Sequence, residues 1–296
     1  LLARYGRGSF QSYFLADAEG MTARQVAGLL PRRSLLHTGP LLHVHLAASV
    51  LPGGKQARPV QFSREKMSRL FDHLEQMLLR SDLPPAKSAW SHYYSDSILG
   101  DGYLQEKEQA LRAMVKELLP GRALDLGAND GFFSKVLSGY GWDVIAFDAD
   151  ERAVNNLYKS RGGEAESIQP LWMNLVQASP AIGWMGAERP GFWSRFRGEL
   201  VLALALVHHL YFRYNLPFAQ LAQGLDTLCT NSLVIEFVEP GDPKVELLAA
   251  GRTHLMAGYT NEAFCAAMSV YFTIEETVPL AAAGRILYRM KKKRGE

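Results

Sequence analysis

The sequence predicts an α/β protein built on a Rossmann-like, mostly parallel sheet with helices on both faces. Residues 123–126 form a short apolar strand that leads through a glycine turn into a helix near Phe132. Residues 144–147 form a second apolar strand, which ends at Asp148. Residues 199–207 are almost entirely apolar, which is typical of a central parallel strand buried on both faces.

A mainly helical region is expected before this sheet, over residues 1–85, with the α/β domain over residues 86–296. The clearest helix of the first region spans residues 63–80, where apolar side chains recur at helical spacing and predict one buried stripe. Residues 81–85 contain two prolines and predict a linker. The stripe consists of Met67, Leu70, Phe71, Leu74, Met77 and Leu78.

His43 and His45 would place both rings on one face if residues 41–51 formed a strand, and such a pair is a candidate metal site. No Asp, Glu or Cys stands nearby to complete it, so packed or backbone-bonded histidines are preferred. No metal is expected in the protein.

The glycine turn predicts a cofactor site. It carries glycine at 127 and 131, with Asn129 between them, whereas a dinucleotide site favours a third glycine so that peptide N–H groups reach a pyrophosphate. Asp125 would repel a pyrophosphate but suits a cationic ligand end. Asp148, about 20 residues further on, is placed to accept hydrogen bonds from ribose hydroxyls.

Two histidines and one acid are candidates for catalysis. His208 and His209 follow the central strand, and ligands bind beyond the carboxyl ends of such strands. Either could take a proton from an acceptor hydroxyl, or both could be packing residues at a helix start. Glu236 lies inside a predicted strand over residues 232–238 and needs a partner, either an acceptor or an arginine such as Arg252.

Other segments could cover the site. Aromatic residues at 90–94 and Tyr103 precede the first strand of the sheet, where they could form a lid over the cofactor or pack onto the core. The long connection over residues 177–198 carries Trp184 and Trp193 and is either an acceptor-side wall or a cover for the sheet.

Composition limits the class of protein. The chain has 296 residues, 48% of them hydrophobic, which suffices for a sizeable core, and a formal charge of +2 that favours neither nucleic acid nor membrane. Cys229 and Cys265 indicate reduced thiols of a cytoplasmic protein. No apolar run reaches the length of a membrane span. Because the chain starts at Leu1 rather than Met, we expect a fragment of a longer protein or a processed N-terminus.

Residues 125–131, Asp-Leu-Gly-Ala-Asn-Asp-Gly, resemble the first motif of class I S-adenosylmethionine-dependent methyltransferases. The resemblance implies a seven-stranded sheet with an antiparallel strand at its end. It implies S-adenosyl-L-methionine as cofactor and S-adenosyl-L-homocysteine as product. Under it, the methionine and ribose end of the cofactor is lined by Asp125, Gly127, Asn129 and Gly131.

The same resemblance assigns residues at the ends of two strands to the ribose and the adenine of the cofactor. Asp148 would hold the ribose. Asn174, at the end of the predicted third strand over residues 168–174, stands where this class often has an acid that bonds the adenine amino group. The side-chain oxygen of asparagine can accept the same bond. Residues 179–184, 188–190, 202–210 and 235–243 further resemble the bacterial group related to the nodulation protein NoeA.

The expected function is therefore methyl transfer to oxygen of a small-molecule or carrier-bound acceptor. Two alternatives stay open: a non-catalytic S-adenosylmethionine-binding protein, and a nicotinamide-dependent oxidoreductase, which the missing third glycine disfavours. RNA methylation would need a basic face that the near-neutral charge does not suggest. The sequence leaves the acceptor and the oligomeric state open.

Overall fold

The computed structural model describes residues 1–5, 20–49, 63–80, 100–160, 167–280 and 284–294. The predicted linker over residues 81–85 and the aromatic segment over residues 90–94 lie outside these ranges. The chain divides into two compact units, Leu1–Ala86 and Lys87–Glu296.

The first unit is helical in the part that is described. Helix α1 spans Ala23–Leu29 and begins with a capping box between Thr22 and Gln25. Helix α2 spans Arg64–Leu79, with the Ser63 side chain accepting a hydrogen bond from the backbone N–H of Lys66. A short helical segment, Ala3–Tyr5, precedes α1. Four more lie between α1 and α2, at Arg32–Leu36, Thr38–Pro40, Leu41–Leu46 and Ala47–Ser49.

Helix α2 forms as predicted, but the prediction that its apolar stripe is buried is wrong. None of its residues is buried. Phe71 and Leu78 are 61% and 68% exposed, and Met67 is exposed as well. Helical spacing identifies the face that would enter a core, but it does not supply the surface against which that face packs.

His43 and His45 lie in a π-helical segment, Leu41–Leu46, rather than in a strand. Their rings therefore have different partners. The Nε2 atom of His43 is 2.6 Å from Nδ1 of His73, and that of His45 is 2.7 Å from the Ser34 hydroxyl. No group of three or more His, Cys, Asp or Glu side chains suited to a metal occurs among the described residues.

The second unit contains a seven-stranded sheet, whose strands β1 to β7 span Arg122–Leu126, Asp143–Asp148, Ile168–Trp172, Gly198–Ala203, Cys229–Val238, Phe272–Leu280 and Arg285–Lys292. The strand order is β3-β2-β1-β4-β5-β7-β6, which confirms the predicted fold. Strands β1 to β5 are parallel to one another, and β7 pairs antiparallel with both β5 and β6.

Helices cover both faces of the sheet. The helices α3 to α10 span Gly100–Val115, Phe132–Gly139, Glu151–Lys159, Phe192–Arg195, Val207–Tyr214, Phe218–Leu228, Pro243–Ala249 and Asn261–Met268. Alternate side chains of the strands enter two separate apolar clusters, one containing residues of α3 to α5 and the other residues of α6 to α10. Short 3₁₀-helical segments occur at Leu175–Gln177, Trp184–Gly186 and Thr253–Gly258.

Two strands end earlier than their apolar runs predicted. Strand β4 stops at Ala203, and Ala205 then adopts a left-handed backbone with φ of 50°. This turn starts α7, so His208 and His209 lie in the first turn of a helix rather than at the tip of a strand. Strand β3 stops at Trp172, which leaves Asn174 in the following loop.

Cys229 is buried and Cys265 is partly buried, and both are free thiols. In the helices that the structure describes, none has the length and apolar character needed to span a bilayer.

Candidate functional site

The turn after β1 is tied to the end of β2. The backbone N–H groups of Gly127 and Ala128 both donate to the carbonyl oxygen of Phe147 at 2.9 Å. Gly127 has φ of 81° and Asn129 has φ of 50°, a region that glycine enters freely and asparagine tolerates better than most residues. The turn therefore places its backbone directly beside the first residues after β2.

Asp148 is held by the same turn. One carboxylate oxygen accepts from the Asn129 N–H at 2.8 Å, and the other accepts from the Asp150 N–H at 2.7 Å. Burial raises the pKa of Asp148, although these two hydrogen bonds oppose the rise. Since a carboxylate oxygen has more than one acceptor site, both oxygens retain capacity for a ligand hydroxyl.

One cleft brings these groups together. It lies beyond the carboxyl ends of four parallel strands, which is where open α/β sheets bind ligands. The cleft is lined by Gly127, Asn129, Phe147, Asp148, Ala149, Met173, Asn174, Leu175, Leu204, Ala205, Leu206, His209, Leu210, Arg213 and Tyr214. Five of the residues singled out in the sequence, Gly127, Asn129, Asp148, Asn174 and His209, are therefore neighbours.

Asn174 also has a local structural role. Its side-chain oxygen accepts a hydrogen bond from the Val176 N–H at 3.2 Å and caps the turn Leu175–Gln177. The side-chain NH₂ group is a donor that this cap does not use.

Gly131 is needed for helix packing. A Cβ atom at this position would lie 2.5 Å from a methyl carbon of Leu157 in α5, and its φ of 78° also disfavours other residues. Gly131 does not line the cleft. Gly131 therefore lets α4 and α5 approach each other closely, which fixes the turn.

Asp125 lies under the turn rather than on the cleft surface. It is 3% exposed, faces the α3–α5 side of the sheet, and accepts a hydrogen bond from the Ser134 hydroxyl at 2.6 Å. Burial raises the pKa of Asp125 to about 7 despite that bond, and the negative charge of Asp148 adds to the rise. This carboxyl group therefore changes charge near neutral pH.

The two histidines occupy different environments. His209 lines the cleft, and burial lowers its pKa to about 4, so the ring is neutral at pH 7. His208 is fully buried beside it, with ring centroids 4.2 Å apart. Neither ring nitrogen of His208 has a hydrogen-bond partner among the described residues. Only His209 is positioned to touch a ligand in the cleft.

Glu236 is fully buried in a charged cluster on the α3 side of the sheet. Its carboxylate is 2.5 Å from Lys107 Nζ, 2.5 Å from the Tyr103 hydroxyl and 3.3 Å from Arg285 Nη1. Arg285 Nε also lies 2.9 Å from Asp242. The predicted partner, Arg252, is thus replaced by Lys107 and Arg285, because antiparallel pairing with β7 brings Arg285 in from a distant part of the chain.

Glu236 reaches the cleft only through the backbone. Its second oxygen accepts from the N–H of Ala205, the left-handed residue that lines the cleft, at 2.8 Å. Burial alone would raise the pKa of Glu236, but the charges of Lys107 and Arg285 lower it to about 2. Tyr103 belongs to this cluster and is not among the residues lining the cleft.

Some residues of the site were not singled out in the sequence. Arg213 and Tyr214 line the cleft from α7. Arg213 lies four residues after His209, which is the spacing of one helix face, so a helix starting at Val207 would have indicated it. Lys107 has no such signal, since its partner is more than a hundred residues away.

Comparison with known proteins finds sequences that are similar to this chain. Residues 101–180 match the family of the tellurite resistance protein TehB. The chain is 27% identical to the nodulation protein NoeA of Rhizobium meliloti strain 1021 over 292 residues, which covers 95% of this chain and 61% of NoeA. The predicted relationship to the NoeA group is confirmed, and the chain spans less than two thirds of that relative's length.

Similar solved structures include two methyltransferases. The N-methyltransferase NodS of Bradyrhizobium japonicum WM9 is 13% identical, with a TM-score of 0.46 over 66% of this chain and 98% of NodS. Magnesium protoporphyrin IX methyltransferase of Synechocystis PCC 6803, solved with bound S-adenosylhomocysteine, is 14% identical, with a TM-score of 0.45 over 76% of this chain and 95% of that protein.

Proposed function

We propose that this chain, which is similar to NoeA over most of its length and matches the TehB family over residues 101–180, methylates a hydroxyl group of a small-molecule or carrier-bound acceptor with S-adenosylmethionine. One observation carries the proposal. The Asn129 N–H of the glycine turn binds the Asp148 carboxylate, so turn and acid face the same cleft. A backbone turn beside an acid at a strand end suits a ribose-bearing ligand.

The residues of the cleft fit S-adenosylmethionine. Asp148 would accept hydrogen bonds from the ribose hydroxyls, and Asn129 and Gly127 would lie along the sugar and methionine. Asn174 lies in the loop that follows β3, where its side-chain oxygen, which accepts from the Val176 N–H, has a second acceptor site for the adenine amino group. The side chains of Met173, Leu175 and Leu204 form an apolar surface, which suits the flat adenine ring.

The cofactor supplies a methyl group on a positively charged sulfur, and the chain has to align an acceptor and manage its proton. His209 is neutral at pH 7, so it does not repel a sulfonium and can accept a hydrogen bond from an acceptor hydroxyl. A hydroxyl oxygen becomes strongly acidic as it gains a methyl group. A weak base such as His209 therefore suffices to receive its proton.

Calorimetric titration tests the cofactor site. We expect S-adenosylmethionine and S-adenosylhomocysteine to bind and NAD not to bind. Asp148→Ala should weaken binding by at least about tenfold, since it removes hydrogen bonds worth about 1.5–3 kcal/mol. Asp143→Ala is the matched control, because Asp143 is the exposed first residue of the same strand.

Binding of NAD in place of S-adenosylhomocysteine would replace the proposal by an oxidoreductase function. Equal weakening by Asp143→Ala and Asp148→Ala would remove the assignment of the ribose to Asp148. Transfer of a labelled methyl group to hydroxylated acceptors, followed by mass spectrometry, then tests the oxygen preference.

A further inference from the structure

A second cavity adjoins the candidate cofactor cleft. It lies between helix α8 and the sheet, on the face opposite the Glu236 cluster, and its volume is about 510 Å³. Three leucines, Leu175, Leu206 and Leu210, line both the cleft and this cavity. An occupant of the cavity would therefore lie against the same side chains as a ligand in the cleft.

The inner part of the cavity is aliphatic. Leu126, Ala203 and Ile235 of the sheet face Leu221 and Leu225 of α8, and all of these residues are buried. No charged side chain lines the cavity, every lining residue being within the described part of the chain. Trp193 is the single aromatic residue among them, so the wall offers little stacking surface for a ring.

The polar side chains lie on the side of the cavity nearest to solvent. Gln220 and Gln223 are exposed, and Thr227 follows one helical turn later on α8. The Thr227 hydroxyl is already bonded to the Gln223 carbonyl at 3.0 Å. The cavity is therefore apolar inside with a neutral polar rim, which is the distribution typical of a small-molecule site.

Water is a poor occupant of such a space. Buried water molecules typically make two to four hydrogen bonds to polar groups of the protein. The aliphatic walls do not supply them.

We infer that this cavity binds an uncharged aliphatic chain carried by the methyl acceptor, and that the shared leucine wall places the acceptor beside the cofactor. This inference rests on the proposed function, since only a cofactor in the neighbouring cleft makes the occupant an acceptor. The acceptor would thus combine an aliphatic portion with a hydroxyl group near His209.

Titration of the full chain with primary alcohols, in the presence of saturating S-adenosylhomocysteine, tests the inference. The affinity is expected to rise about fourfold for each added methylene from butanol to octanol, which corresponds to about 0.8 kcal/mol of transfer free energy. The diol with eight carbons should bind more weakly than octanol, because it would bury a second hydroxyl without a partner.

Leu225→Trp is the cavity-filling variant, and Leu247→Trp, at an exposed position on α9, is its matched control. We expect Leu225→Trp to abolish the dependence on chain length and to leave S-adenosylhomocysteine binding unchanged, whereas Leu247→Trp alters neither. If Leu225→Trp lowers the melting temperature strongly, Val176→Phe fills the cavity from its partly exposed side.

The outcomes separate the two proposals. If S-adenosylhomocysteine binds but the alcohols show no chain-length dependence, the cavity assignment is overturned and the proposed function stands. Competition between the alcohol and S-adenosylhomocysteine would likewise overturn it, because the two should bind together. If octanol binds and S-adenosylhomocysteine does not, the cavity is an aliphatic site but the acceptor assignment fails with the proposed function.

Discussion

Asp125 shows at the scale of one residue how burial changes the protonation of a carboxyl group. Its pKa of about 7 lies far above the value of about 4 for an unfolded chain. Between these values the folded state binds more protons than the unfolded state. The contribution of Asp125 to the free energy of unfolding is therefore largest below pH 4 and is lost as the pH rises to about 7.

Asp125→Asn should remove this pH dependence. We expect the free energy of unfolding of the variant to fall less than that of the parent between pH 5 and pH 7, as measured by denaturant unfolding without ligand. Asp143→Asn, at the exposed start of β2, should keep the slope of the parent. If the free energy of unfolding changed with pH in the same way for the parent and Asp125→Asn, Asp125 would not be the source of the pH dependence.

The proposed transfer of the methyl group to oxygen depends on His209. His209→Asn should lower kcat by about a hundredfold with a hydroxyl acceptor, the low end of general-base effects, while leaving the KM for S-adenosylmethionine nearly unchanged. The pH profile of the parent should show loss of activity as the pH falls through about 4. His254→Asn, at an exposed position, is the control.

A loss of cofactor binding in His209→Asn would instead indicate that the ring packs against the cofactor. In that case His209 would be a binding residue and the proton would leave directly to water.

At the scale of elements, Glu236 connects the sheet to the turn between β4 and α7. Ala205 holds a backbone conformation that alanine rarely adopts, and such strain persists only where the surroundings impose it. The hydrogen bond from Ala205 to Glu236 is one such constraint, and Lys107 and Arg285 fix Glu236 in place. Glu236 is therefore best described as a positioning residue for the cleft.

Glu236→Gln should lower the free energy of unfolding by about 3–5 kcal/mol, because it leaves Lys107 and Arg285 buried without a full counter-charge. S-adenosylhomocysteine binding should weaken as well, since Ala205 lines the cleft. Glu276→Gln, which removes a partly exposed pair with Arg289, should cost less than about 1 kcal/mol.

Combining Glu236→Gln with Lys107→Met should restore part of the lost stability, because the unpaired buried charge is removed. If the two substitutions changed the free energy of unfolding additively, Lys107 and Glu236 would not form the coupled pair seen in the structure.

At the scale of the whole molecule, the cleft and the second cavity both lie within the unit Lys87–Glu296. This unit has its own sheet and two apolar clusters, which is what an independently folding domain requires. Residues 87–296 expressed alone should unfold cooperatively and bind S-adenosylhomocysteine within about threefold of the full chain.

Failure of residues 87–296 to fold would show that residues 1–86 contribute to the stability of the second unit. A folded domain with binding weakened more than about tenfold would show that they contribute to the site.

The sequence alone determined the sheet and the turn, because both depend on local patterns. Apolar runs of strand length, the glycines at 127 and 131, and the acid about 20 residues later are all readable from neighbouring residues. These patterns correctly predicted a mostly parallel sheet and singled out Asp148 and Asn129, which the structure brings into contact, whereas the number of strands followed from the resemblance to class I methyltransferases.

Only the tertiary structure decided which of the candidate residues share a surface. Asp125 and Asp148 look alike in the sequence, yet the alternation of side chains along a strand sends Asp125 under α4 while the end of β2 opens Asp148 to the cleft. Lys107 and Arg285 meet Glu236 across 129 and 49 residues of chain. The second cavity also depends on how far α8 stands from the sheet, a distance set by packing that no local pattern encodes.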